Sequence, residues 1–450
     1  MKVILKVRLI VTIFGIALLL GINISWEILF AKNRTVNLTI LYSSNPEGEI
    51  RSCGCPKDED YGGLGRRTTY VNSTRETQSN SLLFEVGDVF GDANTQSNLK
   101  AEVAMKAMKQ MKYDAMTLGE REFTFGRSYV EEQMRNLGFP IISANIVDET
   151  TGKLFAPQPY IIKEMPNGLR VGIIGVLSDK FQLPPSRENQ QLRILPPTEA
   201  LQRYLPELKA KSDLVIILSH LGIFDSVNLA RAVNGIDVII SGHGGHGIEK
   251  PFVINDTIIV QTGNQGKYLG RLDLRFDEMG KIVSYQNQLI PLERKYKEHP
   301  AIGKLFDEYN EKVKQWQKSL PVEVSIRQVF ATSEACQSCH PSQYKSWQQS
   351  AHARAFETLQ KRNQEYDPEC VGCHTLGYKQ FGGFIRADVT PELTDVQCES
   401  CHGPGLAHAQ KQTKGYGQIS IASCRPCHNQ KHSPTFDFPK YLAKLKCSAK

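Results

Sequence analysis

Four pentapeptides near the end of this 450-residue chain repeat one arrangement of reactive side chains. They are Cys336-Gln337-Ser338-Cys339-His340, Cys370-Val371-Gly372-Cys373-His374, Cys398-Glu399-Ser400-Cys401-His402 and Cys424-Arg425-Pro426-Cys427-His428. The spacing suits covalent attachment of a c-type haem: two thiols form thioethers with the porphyrin vinyl groups, and the next imidazole ligates iron from the proximal side. Zinc ribbons also use C-x-x-C pairs, but zinc does not require a histidine directly after every second cysteine. The expected cofactors are therefore four covalently bound c-type haems.

Three further histidines, His352, His408 and His432, follow the motifs closely and are candidate distal ligands. Four proximal and three distal histidines leave one iron short of a partner. Cys447, His299, a methionine, a water or an open position are the alternatives for it, and the sequence does not assign distal ligands to particular irons. Cys53 and Cys55, one residue apart, form a separate pair. Such close cysteines seldom close an unstrained disulfide, so they read as a redox-active dithiol or a soft-metal pair, or as small residues in a glycine-rich turn.

The elements that must position these groups fall into blocks. Lys2, Lys6 and Arg8 precede an apolar run over residues 9–30 in which Glu27 is the single acidic residue. This reads as an N-terminal transmembrane signal anchor with its basic end in the cytoplasm, in preference to the alternative of a cleaved signal peptide, and either exports the rest of the chain. From 36 to 292, strand-like runs (VNLTILYS, SLLFEVGD, DAMTL, PIISANIV, LRVGIIGVL, DLVIILSH, DVIISGH, DTIIVQTG and YLGRLDLRF) alternate with helical patterns such as LKAEVAMKAMKQM and PTEALQRYLPELKAK. Several runs are continuously apolar, as strands covered on both faces are, and the alternation predicts a layered α/β domain. A polar helix with Leu305, Tyr309, Val313 and Trp316 on one stripe is expected over 299–318. Beyond Pro321 the strand signal fades. The expected division is an anchor at 1–34, an α/β domain at 35–295, a linker helix within 296–330 and a mostly helical or irregular multihaem domain at 331–450. The 54 basic and 47 acidic residues are spread without a basic stripe, which argues against a nucleic-acid partner.

Two resemblances to known families follow from these strings. EACQSCHPSQYKSWQQSAHARAF, ECVGCHTLGY, FGGF, VQCESCHGPGLAH, CRPCH and FDF, within 332–445, are similar to the tetrahaem cytochromes related to the electron acceptor of bacterial hydroxylamine oxidation. That resemblance implies periplasmic electron transfer and one haem that can lack a distal ligand. LTILYSSNPEGEI, GGLGRRTTYV, LFEVGDVF, YDAMTLGEREF, LVIILSHLG and DVIISGHGGH resemble the catalytic domain of 5′-nucleotidases among the calcineurin-like metallophosphoesterases. Those enzymes hold two metals that activate water for attack on phosphorus.

The second resemblance implies that Asp88 is the bridging carboxylate and that His220 and His243 are later ligands. It also shows departures. The D-x-H position reads Asn45-Pro46-Glu47, the GNH[ED] position reads Gly119-Glu120-Arg121-Glu122, and the last pair, His243 and His246, is spread by two glycines. One reading is a scaffold without hydrolysis. The other is an altered metal site of Glu47, Asp88, Glu120, His220, His243 and His246, holding one or two divalent ions.

The expectation is an electron-transfer protein on the periplasmic side of a bacterial inner membrane, working with periplasmic or membrane redox partners. The rivals are a metal-dependent hydrolase of phospho- or sulfur esters, and an oxidoreductase using an open haem or the Cys53/Cys55 pair.

Overall fold

The computed structural model describes residues 36–52, 60–322, 328–412 and 414–445. The apolar run at 9–30, Cys53, Cys55 and Cys447 lie outside the described residues. Among the described residues no helix is long and apolar enough to cross a membrane.

Two six-stranded sheets form the α/β domain. The first holds β1 (Val36–Ser43), β2 (Ser81–Val86), β3 (Ala115–Thr117) and β4 (Ile141–Ile142), with β13 (Tyr268–Phe276) and β14 (Ile282–Pro291) at its other side, in the order 14-13-1-2-3-4. The second holds β6 (Tyr160–Glu164), β7 (Arg170–Leu177), β9 (Leu214–His220), β10 (Val238–Ser241), β11 (Phe252–Ile254) and β12 (Thr257–Gln261), in the order 11-12-10-9-7-6. A small pair, β5 (Ile146–Asp148) and β8 (Leu192–Ile194), is separate. The central strands β1 to β4 run parallel, as do β7, β9, β10 and β12.

The continuously apolar strands are explained by what covers them. Leu38, Ile40 and Tyr42 of β1 meet Val171, Ile173, Ile216, Leu218 and Ile240 between the sheets, while Leu41 points outward into a second core. That outer core is covered by α1 (Leu64–Thr77), α2 (Thr95–Met111) and α3 (Arg127–Asn136). The second sheet is covered by α4 (Pro197–Lys211) and α5 (Ile223–Ala232). The layers are thus helix, sheet, sheet, helix. The predicted linker helix is α6 (Pro300–Ser319), and its Ile302, Leu305, Phe306, Tyr309 and Val313 are buried in the outer core beside α2. It is an integral part of the α/β domain.

One charged group is sealed beneath the first sheet. Arg67 of α1 is fully buried, with its Nη1 3.4 Å from Glu85 Oε2, 3.0 Å from the Tyr113 hydroxyl and 3.2 Å from Ser43 Oγ. Removing one member of a buried ion pair strands the other. Arg67→Leu is therefore expected to destabilise the fold by about 3–5 kcal/mol in denaturant titration, and a loss near zero would show that Glu85 does not need its partner.

The C-terminal domain has short helices and a small core of Phe330, Phe356, Leu359, Val371, Leu376, Phe384 and Leu393. It docks on the α/β domain through polar contacts. Gln96 of α2 donates to Asp367 Oδ1 at 2.7 Å, and Lys100 pairs with Glu369 at 2.6 Å. Asp367 also accepts from the Glu369 amide at 2.9 Å and so caps the short helix Pro368–His374 that carries the second Cys-x-x-Cys-His motif. Lys431, three residues past His428, pairs with Glu49 in the loop after β1.

Candidate functional site

The α/β site lies where the parallel strands end. Asn45 and Glu47 follow β1, Asp88 follows β2, Glu120 follows β3, His220 ends β9 and His243 follows β10. Strand C-termini are where an α/β sheet leaves a crevice open to ligands. Asn45, Glu47, Asp88 and His243 all have positive φ, of 53°, 54°, 59° and 72°. Non-glycine residues adopt this region at a cost, and such strain collects at functional sites.

Four of the expected residues converge: donor atoms of Asp88, Glu120, His220 and His243 lie within 4.8 Å of one another. His220 Nε2 is 3.4 Å from Asp88 Oδ1 and 3.2 Å from Glu120 Oε2. His243 Nδ1 is 3.1 Å from Glu120 Oε1 and 3.9 Å from Asp88 Oδ2. Four donors about 2.1 Å from one tetrahedral ion are about 3.4 Å apart, so the spacing fits a metal.

The hydrogen bonding fits as well. His220 Nδ1 donates to Val86 O at 2.6 Å, which leaves the Nε2 lone pair aimed at the carboxylates. Glu120 Oε2, His220 Nε2 and His243 Nδ1 are buried and have no hydrogen-bond partner. Burial alone would lower the pKa of His220, but Asp88 and Glu120 outweigh it and hold it well above the ordinary value. A cation could take up that role between the same groups.

Neighbours the sequence reading missed shape the cluster. A Cβ on Gly119 would stand 2.4 Å from Asp88 Oδ1 and 2.8 Å from His220 Nε2, so only glycine leaves room there. Glu122 accepts from the amides of Asp88, Val89 and Gly119 and locks that loop; burial, with Asp88 adding to it, pushes its pKa up to about 7. Phe181 stacks on His243 with ring centres 3.8 Å apart. The glycine and the acid stood in readable motifs, whereas nothing in the sequence around Phe181 marked it.

Two expected ligands do not join the four. His246 is exposed, because Gly244 and Gly245, with φ of 68° and 85°, turn the chain away, and its carbonyl accepts from Gln261. Glu47 is half-buried beside the cluster, within electrostatic reach of Arg121, Asp88 and His243. Asn45 is a support: its Oδ1 accepts from the His243 amide at 2.9 Å.

In the C-terminal domain two of the four motif histidines are fixed at Nδ1 by a backbone carbonyl. His374 Nδ1 donates to Ala355 O at 2.6 Å and His402 Nδ1 to Gly417 O at 2.5 Å. A carbonyl only accepts, so each ring keeps its Nε2 lone pair for a metal. His340 and His408 have ring centres 6.4 Å apart, and His352 and His428 6.2 Å. Two imidazoles on opposite faces of one iron, each nitrogen about 2 Å from it and each ring centre about 1 Å further, have centres about 6 Å apart.

The model of the family described as "Cytochrome c554 and c-prime" matches residues 335–403. A snake venom 5′-nucleotidase of Naja atra is 28% identical over 296 residues, covering 59% of this chain and 55% of that protein. Protein UshA of Yersinia enterocolitica is 30% identical over 336 residues, covering 65% of this chain and 58% of that protein. Among solved structures, a 5′-nucleotidase precursor of Thermus thermophilus superposes with a TM-score of 0.56 at 22% identity, covering 68% of this chain and 67% of that one. The larger domain has the 5′-nucleotidase-like phosphoesterase fold. The chain spans little more than half the length of the two curated relatives, 55% and 58%.

Proposed function

We propose that this chain is a periplasm-facing electron-transfer protein: a tetrahaem c-type cytochrome domain carried on a phosphoesterase-fold domain that has its own metal site. The observation that carries the reading is the pairing of imidazoles. The His340–His408 and His352–His428 separations of 6.4 and 6.2 Å suit one iron between each pair. His408 then completes the first haem and His352 the fourth, which leaves His432 as the candidate for the second or third. The match of residues 335–403 to the cytochrome family supports the haem reading for the first three motifs. Electron carriers with closely spaced haems pass charge to protein partners, so periplasmic or membrane redox proteins are the expected partners. The apolar segment at 9–30 is the proposed anchor in a bacterial inner membrane.

A second reading, a metal-dependent hydrolase of phospho- or sulfur esters, is favoured by a specific observation, the four-donor cluster at the strand ends. The comparisons with 5′-nucleotidases extend over far more of the chain than the cytochrome family model and weigh toward this alternative. Against it stand Asn45, Glu47 and Arg121 at positions where the resemblance calls for other groups.

The test is to produce the chain with its own N-terminus in a host that attaches haem c. The membrane fraction is expected to keep the protein through a high-salt wash, and the denatured protein to keep four haems per chain, one for each motif. Release of all the haem into acidified organic solvent would overturn the electron-carrier reading. A soluble form beginning near residue 32 would overturn the anchor.

A further inference from the structure

Two acids stand directly before the second Cys-x-x-Cys-His motif, and both are met by α2 of the other domain. Asp367 is buried; its Oδ1 accepts from Gln96 Nε2 at 2.7 Å, and its carbonyl accepts the Cys370 amide at 2.9 Å. Glu369, the residue before Cys370, places its Oε2 2.6 Å from Lys100 Nζ. Gln96 and Lys100 are four residues apart on α2, so one helix face meets both acids. The Lys100 side chain is 10% exposed and that of Glu369 is 52% exposed, so the cation is the better shielded from water. Burial alone would lower the Lys100 pKa, but Glu369, with Glu49 and Asp367 adding to it, outweighs burial and keeps the ammonium charged. These charges are felt at the sulfur that would carry the haem. Burial pushes the Cys370 thiol well above its ordinary value, Asp367 and Glu369 push it further, and Lys100 opposes them.

We propose that Lys100 of the α/β domain tunes the haem of the second motif, holding its reduction potential above the value that Glu369 alone would set. A ferric haem carries one more positive charge than a ferrous one. A fixed cation beside it therefore favours the ferrous form and raises the potential, and a fixed anion does the reverse. The effect is strongest where water is excluded, and that is where α2 holds Lys100. The phosphoesterase-fold domain then takes part in electron transfer as well as carrying the cytochrome domain. The inference rests on the tetrahaem reading of the proposed function and goes beyond it in giving a residue of the other domain a part in the redox chemistry.

The test is a spectroelectrochemical titration of the full haem-bearing chain, run after the covalent haem of each variant has been counted. Lys100→Met should move one component, about a quarter of the absorbance change if all four motifs are loaded, to lower potential and leave the rest in place. Glu369→Gln should move one component to higher potential, by less, because water screens a half-exposed carboxylate. Lys100→Arg keeps the charge and should keep the potential. Removing opposite charges shifts a potential in opposite directions, whereas loosened packing at the same contact shifts it in one. An unchanged titration in Lys100→Met, or shifts of the same sign in Lys100→Met and Glu369→Gln, would overturn the inference and leave the haem reading standing. A second motif without covalent haem would overturn the haem reading there and this inference with it. If Lys100→Met does not fold, the direction of the Glu369→Gln shift and the constancy of Lys100→Arg decide the matter.

Discussion

Replacing His408 with alanine is expected to convert one haem, about a quarter of the total if all four motifs are loaded, from low spin to high spin. The argument is geometric. His408 is the imidazole facing His340, with ring centres 6.4 Å apart and ring planes 25° from parallel. Without it the first haem keeps its proximal ligand and loses the distal one. The oxidised protein should gain high-spin EPR intensity, and the reduced protein should bind an additional carbon monoxide. His352→Ala should do the same to the haem of the fourth motif, because His352 lies 6.2 Å from His428. If the proposed tetrahaem reading holds, the unaltered protein should already hold one unusual haem, since it offers three candidate distal histidines, His352, His408 and His432, for four irons. His246→Ala, at an exposed site in the other domain, is the control. Spectra that do not change in His408→Ala would show that the ring pairing is packing and not ligation.

Hydrolysis of AMP with Mn²⁺ is expected to fall about a thousandfold or more below that of an ordinary 5′-nucleotidase. Losing one group that stabilises developing charge commonly costs about 10²–10³ in rate, and losing the clamp of a second ion removes a further contribution. In this chain Arg121 stands where the resemblance calls for the histidine that stabilises the transition state. Asn45 supports a backbone amide, and Glu47 sits beside the four-donor cluster without joining it. Fast Mn²⁺-dependent release of phosphate that vanishes in Asp88→Asn would refute this and make the hydrolase reading the better one. Steady-state assays of both proteins side by side decide it.

Much of this molecule was legible one residue at a time. The four Cys-x-x-Cys-His repeats are local patterns, so they can be read without a fold. The strands were legible because burial on both faces leaves a continuous apolar run, and the nine strand-like segments all lie on strands of the structure. The run at 140–147 proved to be two short strands, β4 and β5, in different sheets, and β6, β8, β11 and β14 were missed, since short or water-facing strands carry a weaker signal. The linker helix was legible as an apolar stripe, but its partner was not. Only the packing shows that the stripe completes the outer core beside α2.

The sequence by itself determined the four Cys-x-x-Cys-His motifs, the alternation of strands with helices and the identities of the metal-ligand candidates, because each depends on neighbours a few residues away. Tertiary structure alone decided which candidates meet. Asp88, Glu120, His220 and His243 come from four strand ends far apart in the chain, and their convergence follows from parallel pairing of β2 with β3 and of β9 with β10. The exclusion of His246 was decided by two backbone angles, and the matching of His408 to His340 by how short helices pack around one another. Sequence spacing carries no information about such distances, since a chain can fold back on itself in many ways and only burial of the whole selects one.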